Sequence, residues 1–489
     1  MSKRRSCGKD SMLEPTTPSI RLPRVSVIDS TCVNPAIVRS YDIRGCVGRG
    51  LSLNDAHRLG LSYASVARSQ RKRHIAVSRD GRLTSPELER TLIEALVAGG
   101  MQVRSLGLGP TPFMYFAVCA GALDGGIMVT GSHNPPDQNG FKLVMGGEPV
   151  CGAALQALVA AQHGHASGGG VSEVTAQATD SMQAYVRALG QIGARSPSSL
   201  HVIWDCGNGA VGAVIGALTA ILPGRHTLLN AAVDGRFPAH HPDPAVAENL
   251  RQLQAAVVQQ HADVGIAFDG DGDRIGVVDS SGAIVWPDQL LLLLALEALE
   301  MHSGVPIVAD VKSSRVLFDE VARRGGRAVM VPSGYVRVRA AMLKEGAPLA
   351  GEMSGHIFFK DCWHATDDAL FVALRMLAAL GRLGCTLREY RSSLPPTAAT
   401  PELRLNCPEH RKAQVIEEVS ARLVACDGIR IDTTDGLRVT TEDGWWLLRA
   451  SGTEPKLTAR CEAADSAGLA RLQRALMKQL ARSGVQCGV

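Results

Sequence analysis

Val202-Ile203-Trp204-Asp205-Cys206-Gly207-Asn208-Gly209 is a short β-branched and aromatic run that breaks into a polar, glycine-rich turn, and Ala210–Leu222 continues it as an amphipathic helical stretch. A strand, a turn and a helix in that order form the βα unit. The pattern recurs twice: Ile75–Ser78 precedes Arg79-Asp80-Gly81-Arg82 and a helical stretch Ser85–Val97, and Ile307–Ala309 precedes Asp310-Val311-Lys312-Ser313. Three related α/β domains account for this repetition.

Working outward, the chain thins to Gly, Ala, Ser and His around Gly164–Val171 and becomes rich in Ser, Thr and Pro around Ser392–Pro401, which marks boundaries. Beyond the second, Pro408–Cys426 reads as a helix, Gly428–Leu448 as strands and turns, and Asp465–Ala481 as a closing helix, a small α+β domain. The expected division is an extension at 1–35, α/β domains at 36–178, 179–284 and 285–396, and an α+β domain at 397–489. A chain of 489 residues is too long for one core, and 45% apolar with 20% charged residues is the balance of a globular protein. The net charge of +4, from 51 basic and 47 acidic residues, gives no whole-chain field toward nucleic acid or an anionic membrane. Twelve cysteines without a C-x-x-C pair argue against a disulfide framework and a structural zinc, and fit a reducing cytoplasm. Leu290–Ala295, the most apolar run, is too short to span a bilayer. The first thirty or so residues mix Lys, Arg, Ser and Pro without an apolar segment, so they fail as a secretory signal and read as a floppy extension. Monomer and dimer are left open.

Four segments carry chemistry. Thr130-Gly131-Ser132-His133-Asn134-Pro135-Pro136 follows the apolar run Gly126–Val129 and leads to Asn139-Gly140-Phe141-Lys142. Glycine and proline make a rigid loop able to hold the Ser132 hydroxyl outward as a nucleophile needs, although the segment alone also reads as a surface turn. Asp269-Gly270-Asp271-Gly272-Asp273-Arg274 sits between Val264–Phe268 and Ile275–Val278. Three carboxylates curled together by alternating glycines repel one another unless a hard divalent cation joins them. An EF-hand is excluded, because its sixth position is Arg274 where Gly is needed and its twelfth is Ser280 where Glu is needed. With three carboxylates, Mg2+ completed by a phosphate oxygen is the expected occupant. Gly351-Glu352-Met353-Ser354-Gly355-His356 offers an acceptor, a hydroxyl and an imidazole suited to a sugar ring, or a capped turn. Arg449-Ala450-Ser451-Gly452-Thr453-Glu454-Pro455 combines a guanidinium, two hydroxyls and turn amides, a common way to hold a phosphate and also an everyday loop.

Together with Tyr41-Asp42-Ile43-Arg44-Gly45, these motifs resemble those of the α-D-phosphohexomutases, most closely their bacterial phosphomannomutase/phosphoglucomutase branch, from about Tyr41 to the C-terminus. Phe237–Pro244 and Glu248-Asn249-Leu250 add to the similarity. The resemblance implies four domains around a central cleft and a mutase that moves a phosphoryl group between O1 and O6 of mannose or glucose phosphate through a hexose 1,6-bisphosphate. It implies that Ser132 carries the phosphoryl group and binds Mg2+ with Asp269, Asp271 and Asp273. Arg274 neutralises charge, and Lys142 first, or His356, helped by Arg44, moves protons. Tyr41, His133, Asn134, Glu352 and Ser354 face the sugar, and Arg449, Ser451, Gly452 and Thr453 hold the idle phosphate.

One loop departs from the branch. Where Lys-Thr-Gly-His-Ser is usual, this chain has Pro332-Ser333-Gly334-Tyr335-Val336, followed by Arg337 and Arg339. Because Ser333, Gly334 and Tyr335 are expected at the sugar, the change bears on the preferred hexose more than on the reaction. Met353 favours mannose or glucose, since phosphoglucosamine mutases usually carry Gln there. A phosphoglucosamine mutase, a phosphatase in which water takes the phosphoryl group, and a non-catalytic phosphosugar binder remain the alternatives.

Overall fold

The computed structural model describes residues 32–161, 174–176, 178–197, 199–360, 363–423, 428–451 and 455–485. Most of the expected N-terminal extension, and Gly452 and Thr453 of the phosphate loop, lie outside them.

Four sheets follow one another along the chain. The first has the order Ile43–Cys46, Gln138–Met145, Gly125–Val129, His74–Arg79, Gln102–Leu108 and Val174–Ala176, with Glu148–Pro149 at the side of Gln138–Met145. The second runs Ile284–Val285, Ile275–Asp279, Val264–Phe268, His201–Asp205, Arg225–Leu229, and the third Arg327–Val331, Pro306–Asp310, Leu349–Gly351, Ile357–Phe359. All three are mixed. The fourth is antiparallel throughout, built around Lys456–Ala463 and Gly444–Ala450 and packed by the helices Lys412–Leu423 and Ser466–Arg482.

The three expected βα units are present and share a further feature. His74–Arg79, His201–Asp205 and Pro306–Asp310 each pair in parallel with the first strand of an antiparallel hairpin. Those hairpins, Gly125–Val129 with Gln138–Met145, Val264–Phe268 with Ile275–Asp279, and Leu349–Gly351 with Ile357–Phe359, turn through the serine, aspartate and Glu352 motifs. Gly444–Ala450 and Lys456–Ala463 do the same in the fourth sheet. The chemistry therefore sits in hairpin turns rather than in the strand-to-helix loops that announced the repeat. Strands flanking these turns are buried along their length, for example all of Val264–Phe268 and Ile275–Asp279. Buried apolar strands fix register and hence aim each turn.

One apolar core runs through the first three domains, from Phe113 and Tyr185 past Trp204 and Phe268 to Leu291, Phe371 and Leu374. Arg339 reaches from the third domain to Glu148 of the first at 2.5 Å. The fourth domain docks on the third through Glu462, whose Oε1 accepts from Ser314 Oγ (2.9 Å), the Arg315 amide (3.0 Å) and Trp445 Nε1 (2.9 Å). An open cleft of about 700 Å3, lined by Ser40, Tyr41, Gln156, Arg337, Glu409 and Pro455, lies between the first, third and fourth domains. Every cysteine among the described residues is free. Among them no single helix is long and apolar enough to cross a membrane. Ala369–Leu383 and Leu387–Ser393 qualify only as a pair bent by 78°, and the first is a core helix.

Candidate active site

The serine and aspartate turns meet face to face. Ser132 Oγ lies 3.0 Å from Asp269 Oδ2 and 3.1 Å from His133 Nδ1. Ser132 is 1% exposed, which corrects the expectation of an outward hydroxyl: a turn 137 residues away covers it. Its φ of +49° is a left-handed conformation that a β-carbon disfavours, so the surrounding turn must impose it.

Two residues missed in the sequence do so. Arg82, fully buried, donates through Nη2 to the carbonyls of Ser132 (2.8 Å) and Asn134 (2.6 Å) and through Nη1 to those of Pro135 (2.5 Å) and Gln138 (2.9 Å). Asp80 pairs with Arg82 and accepts from Thr130 Oγ1 (2.9 Å) and the Gly131 amide (3.1 Å). A single fork of donors thus holds the whole loop. The signal was visible: Asp80, Asp205 and Asp310 each stand at the end of a repeated parallel strand or just beyond it. Asp310 supports the third turn in the same way, accepting from Ser333 Oγ (2.6 Å) and the Met353 amide (3.2 Å).

Asp269 curls its own turn by accepting the amides of Gly272 (2.9 Å), Asp273 (3.1 Å) and Arg274 (3.2 Å) on Oδ1. Gly270 permits the close approach, since a β-carbon there would stand 2.3 Å from the Ser132 carbonyl oxygen. Asp269, Asp271 and Asp273 are all buried and their carboxylate oxygens converge, while Asp271 Oδ1 and Asp273 Oδ1 have no hydrogen-bond partner. Orphaned, converging carboxylate oxygens fit a hard divalent cation. Lys142 Nζ is 2.7 Å from Asp271 Oδ2 and also bonds Asp273 Oδ2. Burial works against the Lys142 charge, but Asp271 and Asp273 outweigh it and hold the ammonium well above its ordinary pKa. Burial, then Asp271 and Asp273, push the Asp269 carboxyl well up; Asp271 is held down against burial by Lys142 and by Thr111 Oγ1 at 2.5 Å. Thr111, at the start of the helix Thr111–Ala120, was also missed.

Around this chamber Arg44 donates to Asp42 Oδ2 (2.7 Å) and Asn134 Oδ1 (2.8 Å). Burial, with Arg274, Arg44, Lys142 and His356 nearby, pushes the His133 imidazole well below its usual pKa and keeps it neutral. Arg274 Nε donates to His356 Nε2 at 3.0 Å, joining the second and third turns. Glu352 accepts from Ser354 Oγ on Oε1 and from the Gly334 amide (2.9 Å) on Oε2. Burial raises its pKa, and His356, Lys312 and these donors more than offset that. Tyr335 stacks on His356, centroids 5.4 Å apart, and meets Tyr41 edge-on at 5.7 Å. Lys312, 3.5 Å from Glu402 and 4.0 Å from Asp310, adds a half-buried ammonium beside Glu352. The fourth domain closes the ring. Arg449 pairs with Asp435 at 2.9 Å, and Asp435 Oδ2 accepts the Ser333 amide at 3.1 Å. Ser451 donates its amide to the Lys456 carbonyl (2.9 Å) and its carbonyl accepts from Lys412 Nζ (2.6 Å).

Three α/β domains and a fourth domain that bring a buried serine, three aspartates and two flanking cationic groups into one chamber define a class of phosphoryl-handling proteins, and this chain belongs to the phosphoglucomutase/phosphomannomutase family. Family models for its alpha/beta/alpha domains I, II and III match residues 35–163, 183–282 and 286–398, and that for its C-terminal domain matches 402–479. The chain is 40% identical over 455 residues to the phosphomannomutase/phosphoglucomutase of Pseudomonas aeruginosa, covering 91% of this chain and 95% of that protein. It is 41% identical over 449 residues to the phosphoglucomutase of Neisseria gonorrhoeae, covering 89% and 95%. A crystal structure of a phosphoglucomutase/phosphomannomutase family protein from Burkholderia thailandensis superposes with a TM-score of 0.84 at 37% identity, over 92% of this chain and 98% of that one.

Proposed function

We propose that the chain interconverts hexose 1-phosphate and hexose 6-phosphate, of mannose, glucose or both, through a phosphorylated Ser132 and a hexose 1,6-bisphosphate. The observation that carries this reading is the 3.0 Å approach of Ser132 Oγ to Asp269 inside a turn of three converging carboxylates. Asp269, Asp271, Asp273 and the Ser132 oxygen would hold Mg2+, which when bound neutralises charge on phosphoryl oxygens.

Phosphoryl transfer has a loose transition state, so the residues chiefly align oxygens and balance charge. The P–O bond to Ser132 breaks as one forms to the sugar hydroxyl. The Lys142 ammonium, which has no lone pair to take a proton, returns one to Ser132 Oγ, and the hydroxyl proton leaves through His356. Arg274 and Arg44 supply positive charge beside the serine. Glu352 and Ser354 read sugar hydroxyls with Tyr41, His133, Asn134, Ser333, Gly334 and Tyr335 around them, while Arg449, Ser451, Gly452 and Thr453 hold the phosphate that is not reacting. The bisphosphate then turns over and returns its other phosphoryl group to Ser132. Hexose phosphates and the bisphosphate are the partners, and a cytoplasmic location belongs to the same proposal, supported by the free cysteines.

A coupled assay offering mannose 1-phosphate, glucose 1-phosphate and glucosamine 1-phosphate, with Mg2+ and a trace of bisphosphate, tests it. Isomer formation from the first two supports the reading. Steady phosphate release without isomer, or turnover of glucosamine 1-phosphate alone, overturns it.

A further inference from the structure

Thr366-Asp367-Asp368 closes the loop that runs from the Glu352 hairpin to the helix Ala369–Leu383. His364 and Ala365 both take left-handed φ values, 57° and 56°, shortly before these two neighbouring carboxylates, which serve different partners. Asp368 is fully explained by the fold. Its Oδ1 caps the helix at the Phe371 amide (3.0 Å), and its Oδ2 accepts from Tyr185 Oη (2.9 Å) and Trp363 Nε1 (2.7 Å). Asp367, 2% exposed, has no such duty. Its Oδ2 stands 2.8 Å from His356 Nδ1, an ion-pair contact out of hydrogen-bond alignment, and neither atom has a hydrogen-bond partner. Among the described residues His356 is its one ion-pair partner.

The other ring nitrogen settles where the imidazole proton sits. Arg274 Nε donates to His356 Nε2, and a guanidinium has no lone pair to receive a proton in return. Nε2 is therefore bare and the proton of the neutral ring is on Nδ1, with Asp367 Oδ2 at 2.8 Å and Asp273 Oδ1 at 3.8 Å. A protonated Nδ1 cannot ligate a metal, which argues against Asp273, His356 and Asp367 as a second cation site. Asp273 Oδ1 also has no hydrogen-bond partner, but at 3.8 Å it stands beyond hydrogen-bond reach of Nδ1, so Asp367 Oδ2 at 2.8 Å is the carboxylate placed to hold the ring. Tyr335 covers one face of that ring, tilted 26° from it.

On the mutase reading above, we propose that Asp367 is the positioning residue of His356. It keeps the proton on Nδ1 and fixes the ring plane, so that the Nε2 lone pair is presented at Arg274. A buried carboxylate that sets the tautomer of a working imidazole acts through that imidazole and never touches substrate.

The first arm uses wild-type protein labelled with 15N-histidine and needs no turnover. Long-range proton–nitrogen correlation, with the His356 signals assigned by their loss in His356→Gln, is expected to show a protonated Nδ1 and a bare Nε2. A protonated Nε2 with a bare Nδ1 overturns the inference. In the second arm, Asp367→Asn keeps the shape and removes the charge. We expect kcat to fall about 10- to 100-fold, with KM within about threefold and the melting midpoint nearly unchanged. A kcat within about twofold of wild type, or a loss carried wholly by KM, overturns it. If the variant fails to fold, the wild-type spectrum decides. A wild type that isomerises no hexose phosphate would sink the proposed function, while the tautomer still tests this inference separately.

Discussion

Gly270→Ala probes the meeting of the serine and aspartate turns without removing a reactive group. The added β-carbon would lie 2.3 Å from the Ser132 carbonyl oxygen and 3.2 Å from its carbon, both backbone atoms that no rotamer change can move. An ordinary contact needs about 3.4 Å, so the two turns must part by about 1 Å. Such overpacking costs roughly 1–3 kcal/mol in stability. A displacement of about 1 Å between reacting groups lowers turnover on the order of 100-fold. Gly216→Ala is the matched control: in the helix Gly212–Thr219 its β-carbon meets nothing within 4 Å, and alanine there stabilises by about 0.5–1 kcal/mol. Mutase rate, Mg2+ affinity by calorimetry and thermal melting, measured on both variants, give the comparison. A Gly270→Ala protein with wild-type kcat and Mg2+ affinity would refute the apposition of the two turns.

Lys142→Met removes the ammonium that competes for Asp271 and Asp273, so calorimetry should show tighter Mg2+ binding while turnover falls about 100-fold or more; weaker Mg2+ binding would contradict the pairing. Arg82→Lys replaces a fork that serves four carbonyls with a point charge, and should cost about 2–4 kcal/mol by denaturant unfolding together with most of the activity. His240 Nε2 lies 2.9 Å from buried Asp205; burial lowers its pKa, but Asp205 outweighs this and raises it. A raised histidine pKa stabilises fully below the unfolded value, about 6.5, and the contribution fades as pH climbs through the folded value. The stability lost in His240→Gln should therefore be larger at about pH 5.5 than at about pH 8.5, and a gap that grows with pH would contradict the pairing. Tyr335→His restores the residue usual in the branch and should shift the ratio of mannose to glucose turnover, read in the coupled assay; an unchanged ratio would remove Tyr335 from hexose choice.

The parts of the molecule legible in the sequence are those whose physics is local. Alternating Asp and Gly between two apolar runs specify a tight turn between buried strands, and the structure has that hairpin. The three βα units were visible because strand and helix periodicity need only a short window. The burial of Ser132 was not, because the turn that covers it is 137 residues away. Asp435, which ties Arg449 to the Ser333 amide, was missed for the same reason: its meaning lies 102 residues distant, in another domain. Arg82 and Asp80 read locally as a turn, yet their grip on the serine loop appears only once strands His74–Arg79 and Gly125–Val129 lie side by side.

The claim beneath all of this is that the buried hydroxyl at position 132 is the group that carries and exchanges phosphoryl. Incubating the purified protein with glucose 1,6-bisphosphate and Mg2+, then mapping the modified peptide by mass spectrometry, measures it directly. One phosphoryl group is expected, on Ser132, and it is lost when excess hexose monophosphate is added. Stable phosphorylation at another residue, or none on a protein that still isomerises hexose phosphate, would contradict it.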